Sequence, residues 1–173
     1  MKKLFVVLLL LCLCFSLCAC RSDDKVVLTE STFFYGMTVI QDYPEEYLDT
    51  EISFDCFTYR LTDVDGNSFL CGVRKCSSAY GCKCGNDTVI GFILDYDGEI
   101  PEPINQSEDT VEKAWIHVEG KLASDERERV RIYAYQGDEV NYSSVETVVF
   151  LHFAVFSLTP IEDYSGLAYY ITK

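Results

Sequence analysis

The sequence predicts an all-β (mainly β) domain: a small closed antiparallel barrel of five or six strands with one short helical turn, preceded by a signal peptide. Three observations predict it. Between Glu51 and Leu158, apolar and polar residues alternate over runs of strand length, the pattern of a half-buried strand. Turns rich in Asp and Gly separate these runs at short intervals. The chain has 12 Tyr and 11 Phe against 2 Met, 1 Trp and 4 Pro, a composition suited to pleated, half-buried surfaces. A barrel is favoured over an open sheet because strands this long and apolar would otherwise leave adhesive edges.

The chain begins with Lys2-Lys3, an apolar run over residues 4–20, and then Arg21-Ser22-Asp23-Asp24-Lys25. A basic head, an apolar middle and a small-residue exit describe an export signal. Cys12, Cys14 and Cys18 follow leucines, whereas Cys20 follows Ala19 with Leu17 two places before that. Residues 1–20 thereby resemble a bacterial lipoprotein signal. The resemblance implies cleavage before Cys20, lipid on its sulfur and an acylated amine. Several acyl chains anchor firmly, since each buried methylene contributes roughly 0.8 kcal/mol. Cys18 is unusual at a position where Ala or Ser is commoner. Two other readings stand beside this one. An uncleaved membrane anchor would be at the short end of the ~17–25 residues a span needs. An ordinary signal cut near Ala19 would allow a secreted, disulfide-bonded glycoprotein, with Asn86, Asn105 and Asn141 in acceptor triplets. The expected divisions are a signal peptide at 1–19, a lipidated tether at 20–27 and a barrel at 28–173.

Residues 26–40 fit helix and strand equally well. Asp42-Tyr43-Pro44-Glu45-Glu46-Tyr47-Leu48 predicts one helical turn, since Pro and acids suit its start. Ile52, Phe54 and Cys56 open the first long strand. Asp63-Val64-Asp65-Gly66-Asn67 is a hairpin turn, because Asp-Gly supplies positive φ. Phe69, Cys71 and Val73 form the next strand, followed by a Gly- and Cys-rich loop at 77–86. Residues 88–96 form another strand and 101–110 a Pro-containing loop. Trp115 to Leu122 is a strand in which Ile116, Val118, Gly120 and Leu122 share a face; the glycine there suggests a bend or a close backbone approach. A charged turn is expected at 125–129, then strands at 130–135 and 146–158, and a final strand or cap in the tail.

Pro44-Glu45-Glu46-Tyr47-Leu48 ahead of a strand, a Cys-rich segment, Val89-Ile90-Gly91-Phe92, and Trp115-Ile116-His117-Val118-Glu119-Gly120-Lys121-Leu122 together resemble uncharacterised bacterial envelope lipoproteins with an OB-like barrel. The same residues resemble the soluble barrel of a membrane permease's partner. The resemblance spans residues 28–160. It implies an OB-like β-barrel at the envelope and no particular activity. The chain departs from the pattern at Asp49, where glycine is usual, and at Cys82-Lys83-Cys84, where adjacent cysteines are usual.

Charge excludes one class of partner. The leader holds Lys2 and Lys3 and no acid, so the mature chain carries 12 basic and 28 acidic residues, a net charge of −16. No nucleic acid is expected on such a surface, because backbone binding needs clustered Lys and Arg.

Cys71, Cys76, Cys82 and Cys84 fall within fourteen residues. Four thiolates converging on one point could hold zinc or another soft metal. Their C-x4-C-x5-C-x-C spacing lacks the paired C-x2-C of zinc ribbons. An exported chain meets oxidising chemistry, so disulfides among the four are the favoured expectation, in any of three pairings. Cys56, on a strand face, is expected to stay a free, buried thiol. Asp63, Asp65 and Asn67 begin like a calcium loop, but the glycine is misplaced and a hairpin turn is favoured. Asp95, Asp97 and Glu99 read as a solvated strand end, His117 and His152 as packed or surface residues. Tyr133 and Tyr135 share a strand face, as Tyr35, Tyr59 and Tyr80 cannot be shown to do; a barrel can present such aromatics for stacking on a ligand, but packing in the core or barrel wall is the favoured expectation.

The sequence thus leads to a non-catalytic, membrane-anchored envelope lipoprotein on the extracytoplasmic face. Its partners would be the membrane, through the Cys20 lipid, and a membrane protein or small ligand on the barrel. No cofactor is expected. A metal-binding or thiol-redox lipoprotein using Cys71 to Cys84 is the alternative.

Overall fold

The structure is a computed structural model; it describes residues 25–76, 88–106, 108–136 and 139–171. The elements are β1 (Lys25–Leu28), α1 (Phe33–Asp42), a 3-10 turn (Pro44–Glu46), β2 (Glu51–Thr62), β3 (Ser68–Cys76), β4 (Thr88–Asp95), β5 (Trp115–Gln136), β6 (Glu139–Pro160) and β7 (Tyr170–Ile171).

Five strands close on themselves in the order β2–β3–β4–β6–β5 and back to β2. All pairings in the ring are antiparallel except β4 with β6. This is the five-stranded, partly open barrel of OB-like folds. β1 and β7 add short parallel pairings, β1 beside the start of β2 and β7 beside the end of β3. Residues 25–27, expected in the tether, are therefore already part of the sheet.

Alternation fills the barrel. Ile52, Phe54 and Cys56 from β2, Phe92 and Leu94 from β4, Ile116, Val118 and Leu122 from β5, and Leu151 and Phe153 from β6 point inward and are buried. Phe54 meets Phe92 and Phe153 edge-on at 5.8 and 5.4 Å, while Phe92 and Phe153 stack at 5.2 Å. Each such side chain contributes about 1.5–3 kcal/mol by burial, and aromatic pairs add about 0.5–1.5 kcal/mol.

The ambiguous segment at 26–40 splits in two. Val26 and Leu28 face the core from β1, and then Phe33, Met37 and Ile40, at helical spacing, plug the barrel mouth. The charged turn expected at 125–129 is instead a bulge. β5 runs unbroken for 22 residues, and its register against β6 jumps between Leu122 and Arg127. The short charged stretch supplies extra residues to one strand, which bends it without ending it. Gly120 behaves as expected: a Cβ there would lie 2.4 Å from the Ala154 carbonyl oxygen and 2.6 Å from the Phe153 ring.

The bulge lets β5 and β6 continue as a two-stranded arm that folds over the barrel's outer wall. Val130 and Phe150 of the arm share one buried cluster with Leu61, Cys71, Val73 and Ile93 of the wall. The segment from Ile161 to Tyr169 joins the same cluster beside Phe57 and Trp115.

Candidate functional site

Where the arm tip meets the β2–β3 turn it leaves a groove of about 590 Å³. In OB-like barrels the loops joining the first two and the last two barrel strands flank the ligand surface. Here those loops are the β2–β3 turn and the β5–β6 tip, and both border this groove.

The turn is built to hold its shape. Asp63 Oδ1 accepts the backbone N–H groups of Asp65 at 2.9 Å and Asn67 at 2.7 Å, and Oδ2 accepts the Asn67 amide at 2.7 Å. Gly66 sits at φ +87°, which only glycine adopts without strain. The hydrogen bond from the Asn67 side chain, with the backbone donors, holds the Asp63 carboxyl below its ordinary pKa. The carboxylate is committed to its own loop, so the hairpin reading of Asp63, Asp65 and Asn67 stands. The turn is fastened to the arm by the Val64 N–H donating to the Arg131 carbonyl at 2.8 Å.

Tyr59, Ile132, Tyr133, Val140 and Tyr142 give the groove an apolar, aromatic lining. Tyr133 and Tyr142 meet edge-to-face at 5.1 Å, and Tyr142 is 74% exposed. Polar groups gather along one wall. Arg60 donates to Ser68 at 3.0 Å and pairs with Glu102. The Gln106 side chain accepts from the Arg60 N–H at 2.8 Å and donates to its carbonyl at 3.0 Å, mimicking a neighbouring strand. Tyrosine rings beside a short row of donors and acceptors can stack on and orient a flat or extended ligand. Of the two tyrosines that the alternation puts on one face, Tyr133 reaches the groove, and it is joined there by Tyr59, which the sequence did not place with them. Tyr35 lies exposed on α1. Tyr80 lies outside the described residues, and the side chain of Tyr135 is not among those described. Tyr142 was missed, because its turn-like Asn-Tyr-Ser-Ser surroundings hid the strand.

The cysteines do not assemble as a set. Cys56, Cys71 and Cys76 are free and buried. Cys71 belongs to the outer cluster and Cys76 to the barrel interior, on opposite faces of β3. Five residues of strand put them about 16 Å apart, against roughly 7 Å at most between the Cα atoms of a disulfide. A Cys71–Cys76 bridge and a four-thiolate site using both are therefore corrected by the fold. Desolvation pushes the Cys71 thiol up to about 12 and the Cys76 thiol up to about 11, and it raises Cys56 as well. Such thiols are poor nucleophiles and poor ligands. Cys56 is the buried free thiol the alternation predicts. Cys82, Cys84 and Cys20 lie outside the described residues. Among the described residues no group of three His, Cys, Asp or Glu side chains is placed to hold a metal ion.

Both histidines pair with a carboxylate on the barrel wall. His117 Nδ1 lies 2.6 Å from Asp55 Oδ1, and His152 Nδ1 lies 3.0 Å from Asp95 Oδ1. Asp97 and Glu99 stand exposed beyond that strand end.

Two buried cations escaped the sequence reading. Arg74 is 1% exposed and points inward from β3. It donates to both Glu30 oxygens at 2.6 and 2.9 Å and to the Ala168 carbonyl, and its guanidinium lies 4.9 Å from the Trp115 ring centroid. Lys113 is also buried; its ammonium donates to the Asn105 and Glu108 carbonyls and lies 5.1 Å from the Tyr169 ring. Desolvation lowers its pKa. Both cations bind loops to the barrel and neither faces the groove.

Residues 17–134 match the DUF1980 C-terminal domain. The chain belongs to that family. The DUF1980 match reaches from residue 17 to Ala134, near the end of β5. The chain is also 29% identical over 107 residues to UPF0703 protein YcgQ of Bacillus subtilis (strain 168), a stretch covering 60% of this chain and 32% of YcgQ. It therefore spans about a third of that relative's length. No solved structure matches this DUF1980 domain.

Proposed function

We propose that this chain is a lipid-anchored, extracytoplasmic binding module. Cys20 carries the anchor, and the groove between the β2–β3 turn and the β5–β6 tip receives an extracytoplasmic segment of a membrane protein. The observation that carries this reading is the groove: Tyr59, Tyr133 and Tyr142 lie beside the Arg60, Glu102 and Gln106 polar row, between the two loops that flank ligands in OB-like barrels. Tyrosine is enriched among the residues that dominate protein interfaces. The leader pattern at residues 17–20 supports the location, and the resemblance to a permease partner's barrel supports the class of partner. The module binds and does not catalyse.

The test is a photoreactive crosslinker in place of Tyr142 in cells producing the full chain. The expected result is one adduct to a membrane protein, lost when Tyr59→Ala and Tyr133→Ala are added. Tyr142→Ala should weaken that binding by about 1–2 kcal/mol, roughly 5- to 30-fold, and lower the unfolding midpoint only slightly, because the exposed ring gives up a single edge-to-face contact with Tyr133. Labelling that persists undiminished in the Tyr59/Tyr133 variant would place the partner elsewhere.

A further inference from the structure

The arm presents a second surface. Barrel closure satisfies most strand edges, but β6 is bordered by β5 on one side and, on the other, by β4 only at His152, Phe153 and Ala154. Among the described residues, 139–150 of β6 have no second neighbour. β6 bulges at 142–144, three extra residues against β5 between Ala134 and Tyr133, and the Ser143 N–H is held by Asn141 Oδ1 at 3.1 Å, so the regular edge is 145–150, about 20 Å long at the usual rise per residue. Such an edge is a template for another strand unless it is short, charged or interrupted by proline. This one contains no proline, and between Val140 and Phe150 its one charged residue is Glu146. Val145 and Val149 are 45% and 47% exposed on the same strand face.

We infer that two copies of this chain pair through the β6 edge, antiparallel about a two-fold axis at Thr147. Charge favours a second copy here. The chain is strongly acidic, yet on the outer face of the arm Arg129 lies opposite Val149, Arg131 opposite Thr147 and Tyr133 opposite Val145, with no acid among them. Two arms can meet where the rest of the molecule would repel. The register also suits itself. An axis at Thr147 sets Val145 opposite Val149 of the second copy and Glu146 opposite Val148, so no like charges face each other. The pairing spans five residues, 145–149, between the bulge at 142–144 and the point where β4 takes over the edge at His152. The product is a four-stranded sheet with a valine stripe at its centre and arginines along both flanks.

Sedimentation of the full chain tests this. The wild type should run at twice the mass of one chain. Val145→Lys with Val149→Lys should run as one chain, with an unchanged circular dichroism spectrum, since both side chains are exposed. Thr147→Cys should oxidise to a covalent dimer, because residues opposite each other across antiparallel strands lie within disulfide reach. That bond should disappear when the two lysines are added. A wild type that stays monomeric across micromolar to millimolar concentration overturns the inference, including the case in which the edge serves a foreign strand. So does a dimer that the two lysines leave intact.

Discussion

Arg74 ties together three parts of the chain that are far apart in sequence. Glu30 stands between β1 and α1, Trp115 begins β5, and Ala168 lies in the final segment; the guanidinium touches all three. A buried charge is tolerated only when paired, and removing one partner of a buried pair costs about 3–5 kcal/mol. Glu30 is partly exposed, so Glu30→Ala should fall at the low end of that range. Replacing both residues by Met should recover most of the loss, as urea unfolding would show; a double variant no better than the single would contradict the pairing. A second residue-scale prediction concerns acid. The hydrogen bond from Lys75, with that from Tyr170, holds the Asp109 carboxyl below its ordinary pKa, and Glu119 is held low by Lys25. A carboxyl depressed by folding contributes stability that is complete above its unfolded pKa of about 4 and is lost as pH falls through the folded value. The thermal midpoint should therefore drop as pH falls below about 4, and Asp109→Asn should make the drop shallower. Residues of this kind were not legible in the sequence. Alternation marks Arg74 only as a strand residue, and its partners come from 44 positions upstream and 94 downstream.

Elements were more legible than residues. The alternation of β2 to β4 and the Asp-Gly turn needed no tertiary information, because period two and positive φ are local properties. Gly120 was legible for the same reason: a glycine among inward-facing residues has to make room for something, here the Ala154 carbonyl and the Phe153 ring. Gly120→Ala should cost about 1–3 kcal/mol by overpacking, read by urea unfolding; a neutral result would mean that β5 and β6 can separate freely there. The arm was less legible. Charged residues at 125–129 look like a turn when only local chemistry is considered, yet the strand crosses them because β6 stays paired on the far side. The same continuity brings Tyr142 to the groove and leaves residues 145–150 of β6 without a second neighbour among the described residues. Local pattern specifies strands; which strands outrun the barrel depends on register between them.

At the scale of the whole molecule, the described residues form an acidic OB-like barrel whose arm borders an aromatic groove and carries a strand edge that no other described strand pairs. A surface with this charge gains nothing from anionic headgroups, so the proposed place at a membrane rests on the N-terminal lipid. Cys56, Cys71 and Cys76 are buried in the barrel and its outer cluster, and in the proposed reading Cys20 is the thiol that takes the lipid. Intact-mass analysis of the mature chain recovered from membranes tests this most directly. The account predicts a chain that begins at residue 20 and carries the mass of a diacylglyceryl group with a further acyl chain on its amine. A chain that retains its leader, or begins with an unmodified cysteine, would contradict it.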